Sequence, residues 1–561
     1  MKESIEEVIE KHALQNALKY DSAPKADAVM GKVLGECPGL RTKTSEISPL
    51  IQGLIGKVSA MTSAERSARL QQIAPELMVP KKKERMRGLP PLEAGKKVTM
   101  RIAPNPNGPP TLGNARGIII NHEYAQMYNG KFILRFDDTD PKTKRPMLEA
   151  YDWYKEDCEW LGTIPDEIVT ASDRIEEYYQ YAEKLIKMGK AYICFCDREK
   201  FKIFKDSMRA CLHREQDVEA NLNYWKKMLA GGYDEGEAVL RIKTDILHKD
   251  PALRDWVALR VIKEPHPRVG RKYVVWPMLD FESAMEDHLL RVTHIIRGKD
   301  LMDSEKRQKF IYNYFGWKYP KTSHWGRIRI HEFGKFSTSE IKMAIDKGEY
   351  RGWDDPRLPT VRALRRRGIQ AEAIRNFMID LGMSKTDIAV SMDTLYAENR
   401  KIVDTIANRY FFVWDPIHLD IENAMPTVAK APLHPTERRG LRDIPVQGEV
   451  FVCKDDLQGI KKGDILRLKD LYNIQITSLR PFRAEYIGNN LSITKKGANI
   501  IHWCPPEGVK VKVIGPEKEY TGIGEIGIGS ELGNVVQFER FGFVRIDAIN
   551  DEEIVAYFAH K

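Results

Sequence analysis

The sequence predicts a multidomain α/β protein, and three observations lead there. First, 561 residues exceed what one hydrophobic core organises; domain-size scaling gives about three to five domains. Second, from about Lys96 to Ala191 strand-like apolar runs alternate with helical stripes, the pattern of a parallel sheet. Third, after Tyr410 strongly alternating segments are punctuated by Gly and Pro about every 8–15 residues, which predicts β-barrels.

In chain order, Met1 to about Pro80 reads as all-helical. Ile5, Val8, Ile9, Ala13, Leu14 and Ala17 form an i, i+3, i+4 stripe, and Val29, Val33 and Leu34 form a second. Lys81, Lys82, Lys83, Arg85 and Arg87 follow as a basic run, closed by Pro90 and Pro91. It reads equally as a solvated linker or an RNA-contacting arm. The most informative segment is KKVTMRIAPNPNGPPTLGNAR, from Lys96 to Arg116. Val98, Met100 and Ile102 alternate with Thr99, Arg101 and Ala103, which makes a strand. Pro104, Pro106, Gly108, Pro109 and Pro110 then break regular structure, and the apolar run after Leu112 opens a helix. A loop between a strand and a helix N-terminus turns unpaired N–H groups and the helix dipole towards an anion.

KFILRFDDTDP, from Lys131 to Pro141, reads as a buried strand ending in an acidic turn. Ile175, Tyr178, Tyr179, Ala182, Leu185 and Ile186 form one helix face, with Gly189 as C-cap. From about Tyr192 to Met278 the pattern is irregular and richer in Cys, Trp and charge, which suggests an insertion. HIIRG (His294 to Gly298) and RIRI (Arg327 to Ile330) resume the α/β pattern, and Asp346 to about Arg409 is helical again. EVFVC at Glu449, VKVKVIG at Val509 and VVQFERFGFVRID at Val535 carry the barrel alternation.

Hydrophobic residues make up 42% and charged residues 30%, an ordinary globular composition. Lys+Arg (89) exceed Asp+Glu (80); the resulting +9 has the right sign for a polyanionic partner but weighs little on this length. No apolar run approaches the ~18–20 residues that span a membrane. The N-terminal MKESIEEVIEKHALQNALKY is charged and amphipathic and lacks a signal-peptide core. Seven cysteines, an odd number in a large chain, point to a reducing cytoplasm and to metal binding where they cluster. Cys194, Cys196, Cys211 and His213 form such a CxC…CxH set, suited to a closed, structural tetrahedral Zn²⁺; the alternative is two core thiols beside unrelated surface residues.

Four segments resemble class I aminoacyl-tRNA synthetases, and more narrowly the glutamyl/glutaminyl branch. The Lys96–Arg116 segment looks like the "HIGH" signature, opened in that branch by a strand Arg and Ala-Pro-x-Pro-x-Gly. KFILRFDDTDP, KFSTS (Lys335 to Ser339, in the place of "KMSKS") and WDDPRLPTVRALRRRG (Trp353 to Gly368) follow in the family's order. WDDPRLPT is the most specific and is similar to archaeal and eukaryotic glutamyl enzymes and to glutaminyl enzymes. The resemblance implies a Rossmann-type catalytic core. The expected domains are a helical N-terminal extension (1–92), the first half of the core (93–190), an acceptor-end-binding insertion (191–285) and the second half with the KMSKS-like loop (286–345). A helical stem-contact domain (346–410) and a β-barrel anticodon-binding region (411–561) complete them.

For ATP the resemblance implies Gly108, Thr111, Gly113, Asn114, Lys335, Ser337 and Ser339, with Thr111, Asn114, Lys335, Ser337 and Lys342 as the catalytic set. Thr111-Leu112-Gly113-Asn114 lacks both HIGH histidines, but Thr and Asn can donate hydrogen bonds and Gly113 lets adenine approach the backbone. Thr338 stands where KMSKS has its second lysine; either Lys342 turns back to the phosphates or Lys335 serves alone. For glutamate the implied residues are Arg101, Ala103, Asn105, Asp137 and Arg297. Arg101 sits where a strand Arg contacts a substrate carboxylate, and Asp137 where a carboxylate lies near the amino group. Arg297 matches an Arg that glutaminyl enzymes lack; its alternative reading is a strand-end salt-bridge partner. Asp138 and Asp140 serve turn geometry or contact the tRNA terminus. For tRNA the resemblance implies Trp353, Asp354, Arg357, Arg365 and Arg366 against the inside of the L, and barrels that read the anticodon.

The function implied is ATP-dependent attachment of L-glutamate to the 3′ end of tRNA-Glu through a glutamyl-adenylate, with tRNA-Gln left open as a second substrate. ATP and Mg²⁺, with a structural Zn²⁺, are the expected cofactors, and the protein is expected to be a cytoplasmic monomer with no membrane partner. The alternatives are a glutaminyl-tRNA synthetase and a non-catalytic RNA-binding paralogue.

Overall fold

The computed structural model describes residues 4–20, 22–40, 43–77, 88–93, 97–334, 337–495 and 497–561. The basic run from Lys81 to Arg87, and Lys335, lie outside them. The chain divides into two compact units, Met1–Met86 and Arg87–Lys561.

The first unit is helical: α1 (Ile5–Tyr20), α2 (Ala26–Glu36), α3 (Thr44–Ala60) and α4 (Ser63–Ile73). Val8, Ile9, Ala13, Leu14 and Ala17 of α1 pack on Val29 and Val33 of α2, on Ile47, Ile51 and Val58 of α3 and on Leu70 of α4. Ile5, in the first turn, is instead 43% exposed, so the buried stripe starts one turn later than its period suggests. Thr62 caps α4 in a capping box with Glu65.

The second unit opens with a parallel sheet of β1 (Thr99–Ile102), β2 (Lys131–Phe136) and β3 (Glu167–Thr170), in that order. The helices α5 (Leu112–Met127), α6 (Leu148–Trp160) and α7 (Ile175–Lys187) accompany it. Gly189, just past α7, has φ +64°, the left-handed cap its position predicts. The segment expected to be an insertion forms its own antiparallel sheet, β4 (Ala191–Cys194), β5 (Val239–Ile242), β6 (Val257–Val261) and β7 (Val275–Pro277). Two helices, α8 (Arg198–Asp206) and α9 (Val218–Leu229), lie between its first two strands, and α10 (Leu279–Leu289) leads back to the core.

The parallel series then resumes with β8 (His294–Gly298), α11 (Met302–Phe315) and β9 (Lys321–Trp325), the two strands paired in parallel. The Thr293 N–H donates to the Thr99 carbonyl (3.1 Å) and the Thr99 N–H to Thr293 Oγ1 (2.8 Å), so β8 runs beside β1 on the side away from β2. The order in which strands are added to the sheet thus reverses between β1 and β8, and the carboxyl ends of strands at such a point are where α/β sheets hold ligands. RIRI does not join this sheet: β10 (Ile328–Ile330) pairs in parallel with β11 (Ile388–Val390), a strand inside the stretch expected to be helical. After α12 (Thr338–Asp346), that stretch otherwise holds α13 (Val361–Arg367), α14 (Ala371–Leu381) and α15 (Met392–Ile406).

Two barrels follow, the sequence of one inserted within the sequence of the other. The outer sheet runs 409–410, 535–538, 542–549, 554–560, 509–514, 519–524, 412–414. Its two edges are one strand interrupted at Phe411, so the sheet curls shut on itself. The inner sheet runs 499–501, 465–468, 473–479, 482–486, 416–422, 449–453, 503–504, and its edges are one strand interrupted at His502. The two interruptions meet: the Phe411 and His502 rings lie 6.2 Å apart, and the buried His502 Nε2 donates to the Phe412 carbonyl at 2.6 Å. Burial pushes His502 down to about 4, so the ring is neutral near pH 7 and its proton sits on the donating nitrogen. Among the described residues no helix is long and apolar enough to cross a membrane.

Candidate active site

A cavity of about 540 Å³ opens at the carboxyl ends of β1, β2 and β8. Its wall brings together Arg101, Ala103, Asn105, Gly113, Asn114, Asp137 and Arg297 from the residues singled out in the sequence. It does not include Gly108, Thr111, Ser337, Ser339 or Lys342.

The floor is a buried charge network. Arg101 grips Asp287 with two hydrogen bonds (2.9 and 3.0 Å). Arg135, which no motif reading singled out, grips Asp137 in the same way (2.6 and 3.0 Å) and also reaches Asp287 (2.8 Å) and Ser283 (2.8 Å). Arg135 and Asp137 are two residues apart at the end of β2 and so fall on one face. Burial alone would raise Asp287; Arg101 and Arg135 outweigh it and hold the carboxylate down at about 2. Asp138 accepts from Tyr151 (2.6 Å) and from the Ser172 N–H and hydroxyl (2.8 and 2.7 Å), and Asp140 from the Lys142 and Thr143 N–H groups, so both fix the turn.

Arg297 is 6% exposed and donates from Nη2 to Tyr319 (2.9 Å) and Gln308 (3.3 Å). Its Nε–H is buried with no partner. Such a donor is costly to leave unmade unless a ligand completes it. Asn105 gives its amide N–H to the Asp137 carbonyl (3.0 Å) and keeps Oδ1 buried and unpaired.

Thr111 and Asn114 form a capping box at the start of α5. Asn114 Oδ1 accepts from the Thr111 N–H (3.0 Å) and hydroxyl (2.9 Å), which spends the Thr111 proton on the helix cap. The Asn114 amide N–H₂ is not used in that pair. A Cβ on Gly113 would have no protein atom nearer than Thr111 Oγ1 at 3.6 Å, so packing within the protein does not demand glycine there. Gly108 is different: a Cβ would lie 2.5 Å from Thr338 Cγ2 and 2.8 Å from the Trp353 ring. Gly108→Ala is therefore expected to push α12 and Trp353 off this loop and cost about 1–3 kcal/mol of stability, read by denaturant unfolding.

Ser337 caps α12 in a capping box with Glu340, and Lys342 pairs with Asp346 at 2.7 Å on the exposed side. The Trp353 element clamps the first signature. The Leu112 N–H donates to the Pro359 carbonyl (2.8 Å), the Val361 N–H to Pro110 (2.9 Å), and the Thr360 hydroxyl to Trp353 (2.6 Å). Trp353 itself is buried. Arg357 is held by Asp355, and Arg366 by Asp354 (2.9 Å) and Asp547 (2.9 Å), which ties α13 to the outer barrel. Arg365 is exposed and lies over Trp160.

In the insertion, Cys194, Cys196, Cys211 and His213 bring their ligand atoms within 4.8 Å of one another. Cys194 Sγ is 3.9 Å from Cys211 Sγ, and His213 Nδ1 is 3.4 Å from Cys196 Sγ and 3.8 Å from Cys194 Sγ. Sulfur ligands about 2.3 Å from a tetrahedral metal lie about 3.8 Å apart, so the donor set fits Zn²⁺.

The site residues that sequence reasoning missed are Arg135, Glu282, Ser283 and Asp287. The last three lie on α10, on which Asp280, Glu282, Glu286 and Asp287 are all buried.

Residues 97–405 match the family model described as tRNA synthetases class I (E and Q), catalytic domain, and residues 407–489 the corresponding anti-codon binding domain. A glutamate–tRNA ligase of Methanosarcina mazei is 60% identical over 99% of this chain and 98% of its own. One from Archaeoglobus fulgidus is 54% identical over 99% of this chain and 100% of its own. Among solved structures, a glutamate tRNA ligase from Elizabethkingia meningosepticum is 21% identical and covers 56% of this chain and 70% of its own, with a TM-score of 0.38.

Proposed function

The chain belongs to the class I tRNA synthetases of the E and Q type, and from that membership we infer that it is a glutamate–tRNA ligase. It joins L-glutamate to ATP as glutamyl-adenylate, releases pyrophosphate, and passes the glutamyl group to the 3′-terminal ribose of tRNA-Glu. The observation that favours glutamate is the Arg297 guanidinium, buried in the cavity wall with an unspent Nε–H. A γ-carboxylate completes that donor and its charge, whereas the neutral amide of glutamine leaves the charge unpaired. The glutaminyl alternative is therefore set aside. The catalytically dead alternative fits poorly with a buried guanidinium that keeps its Nε–H unspent in the wall of the cavity.

Little covalent chemistry falls to the side chains; positioning and electrostatics dominate. Arg297 holds the side-chain carboxylate, and Arg101, fixed by Asp287, sets the field in which the α-carboxylate attacks the α-phosphorus. The N-terminus of α5 faces the phosphates with Gly113 at close approach and the Asn114 amide as donor. Mg²⁺ would ride on the triphosphate, because Asp137 and Asp287 are already taken by arginines. Cys194, Cys196, Cys211 and His213 would hold a structural Zn²⁺ that ties β4 to the 196–213 loop. Exposed Arg357 and Arg365 are assigned to tRNA phosphates, and charging of tRNA-Gln is left to the barrel surface.

Glutamate-dependent ATP–pyrophosphate exchange, with and without tRNA, then charging of separate tRNA-Glu and tRNA-Gln transcripts with either amino acid, tests this reading. Exchange on glutamine but not glutamate would overturn it.

Lys342 is assigned to the leaving pyrophosphate in place of the missing KMSKS lysine. Its exposed i, i+4 partner Asp346 costs only about 0.3–0.5 kcal/mol to give up, so the side chain is free to swing when ATP binds. Lys342→Ala is expected to slow single-turnover adenylate formation without changing tRNA affinity. A wild-type rate would make Lys342 an ordinary surface lysine.

A further inference from the structure

Beside the cysteine cluster of the insertion lies a buried arginine that its ligand set does not require. Arg241 of β5 stands directly opposite Tyr192 of β4, and Val239 opposite Cys194. Alternation puts Tyr192, Cys194, Val239 and Arg241 on one face of the insertion sheet. Phe201, Cys196 and Cys211 pack on the same residues. The Arg241 guanidinium lies over the Phe201 ring, 3.3 Å from its centroid, and the residue is 7% exposed. Nη1 donates to the Asp255 carbonyl at 3.1 Å, and the Nε–H is buried without a partner. The guanidinium also acts on the Cys194 sulfur, by hydrogen bond and by charge, and on Cys196 by charge.

No protein anion matches this cation. Among the described residues Arg241 pairs with no Asp or Glu. The Asp255 carboxylate is spent on the Tyr192 hydroxyl (2.9 Å), Arg214 (2.8 Å) and the Thr244 N–H (2.8 Å). A cavity of about 730 Å³, walled by Cys196, Phe201 and Arg241, adds further positive charge. Arg198 and Lys202 of that wall are exposed and Lys205 is half-buried, so water screens them. Arg254 gives its donors to the Lys205, His248 and Lys249 carbonyls. Asp280, the acid of the wall, is taken by Arg307 at 2.6 Å. A zinc centre supplies the missing anion. Three thiolates and a neutral imidazole around Zn²⁺ sum to a charge of −1. Taking the cluster as the structural zinc site proposed above, we propose that Arg241 is the counter-ion of that site, with its guanidinium donating to the Cys194 sulfur. A buried charge of either sign is costly alone, and the two cancel. Arg241 is thus a positioning residue: it touches no substrate, and it keeps the thiolates on the metal that closes the 196–213 loop. Its place opposite Tyr192 on a paired strand fixes it there independently of that loop.

The test follows zinc rather than charging. Arg241→Met keeps the bulk over Phe201 and removes the charge. Partners just outside the ligand shell are worth about 10–100-fold in metal affinity. The zinc dissociation constant, measured by competition with a chelator, should therefore rise about 10-fold or more, and zinc should pass faster to the chromogenic chelator pyridylazoresorcinol. Arg241→Lys restores the charge and should recover most of the loss. A lysine protein as labile as the methionine protein would mean that Arg241 serves packing alone, and overturns the counter-ion role. If Arg241→Met does not fold, Arg241→Gln, which keeps donors without charge, must show the same weakening; unchanged zinc retention overturns the proposal. So does a variant with wild-type zinc retention but weaker, more salt-sensitive tRNA charging, since Arg241 would then serve an RNA phosphate in the cavity. Wild-type protein that binds no zinc would remove the metal site itself. Wild-type protein that holds zinc, with variants that release it no faster, removes only the role of Arg241.

Discussion

Replacing Arg297 by glutamine is expected to cut kcat/KM for glutamate by a factor corresponding to about 2–5 kcal/mol, with the KM for ATP little changed. The size follows from the site. The guanidinium is buried, and its Nε–H has no protein partner, so a bound carboxylate meets it out of reach of water. Glutamine in its place can still reach Tyr319 and Gln308 but brings no charge, and a desolvated γ-carboxylate is then left uncompensated. The network behind it should survive, since Asp287 keeps both Arg101 and Arg135. Steady-state exchange at varied glutamate and at varied ATP separates the two outcomes. A variant whose glutamate KM and turnover both stay near wild type would show that Arg297 is only a strand-end partner of Tyr319.

The second large effect is expected at the cysteine cluster. Cys211→Ser should lose one equivalent of zinc, and with it most of the charging of tRNA, while glutamate-dependent exchange continues. Structural zinc contributes apparent folding free energies of about 10–16 kcal/mol in small domains at neutral pH. Here the loss should be local. The insertion sheet has its own core around Leu240, Ala258, Leu259 and Trp276, which does not depend on the thiols. The segment that unravels is the one carrying Cys196 to His213, held mainly by a small cluster of Tyr192, Cys194, Phe201 and Cys211. Elemental analysis with paired exchange and charging assays decides it; full charging by a zinc-free preparation would sink the metal assignment.

How much of this was legible in the sequence depends on the range of the interaction. The strand–loop–helix of the first signature is local, written by alternation, prolines and a cap within some twenty residues, and the structure follows it. The CxC…CxH set was readable because its four residues lie within twenty positions of sequence, and the structure brings them together. The charge network was not. Asp287 meets Arg101 and Arg135 across 186 and 152 positions of sequence, and nothing in the period of α10 tells a buried acid from a solvated one. Trp353 and Arg366 were read as faces for RNA because their element is known for it. The structure spends them on packing over Gly108 and on a bridge to Asp547. Barrel alternation was plain from residue to residue, but closure through a single broken strand pairs 409–410 with 537–538 and 412–414 with 522–524, beyond the reach of any local pattern.

That nesting sets an order of assembly during synthesis. The inner barrel is complete once Cys504 has emerged, whereas strand 409–414 was made long before and has no partner until 509–560 follows. If the inner barrel closes first, it brings Trp414 and Val509 close and removes most of the loop-closure entropy that the outer barrel would otherwise meet. Until then Phe411, Phe412 and Val413, all fully buried in the finished protein, form an apolar strand with open edges. A chain truncated before residue 519 lacks both partners of that strand and keeps its edges open for good, and aggregation of such products is the expected outcome.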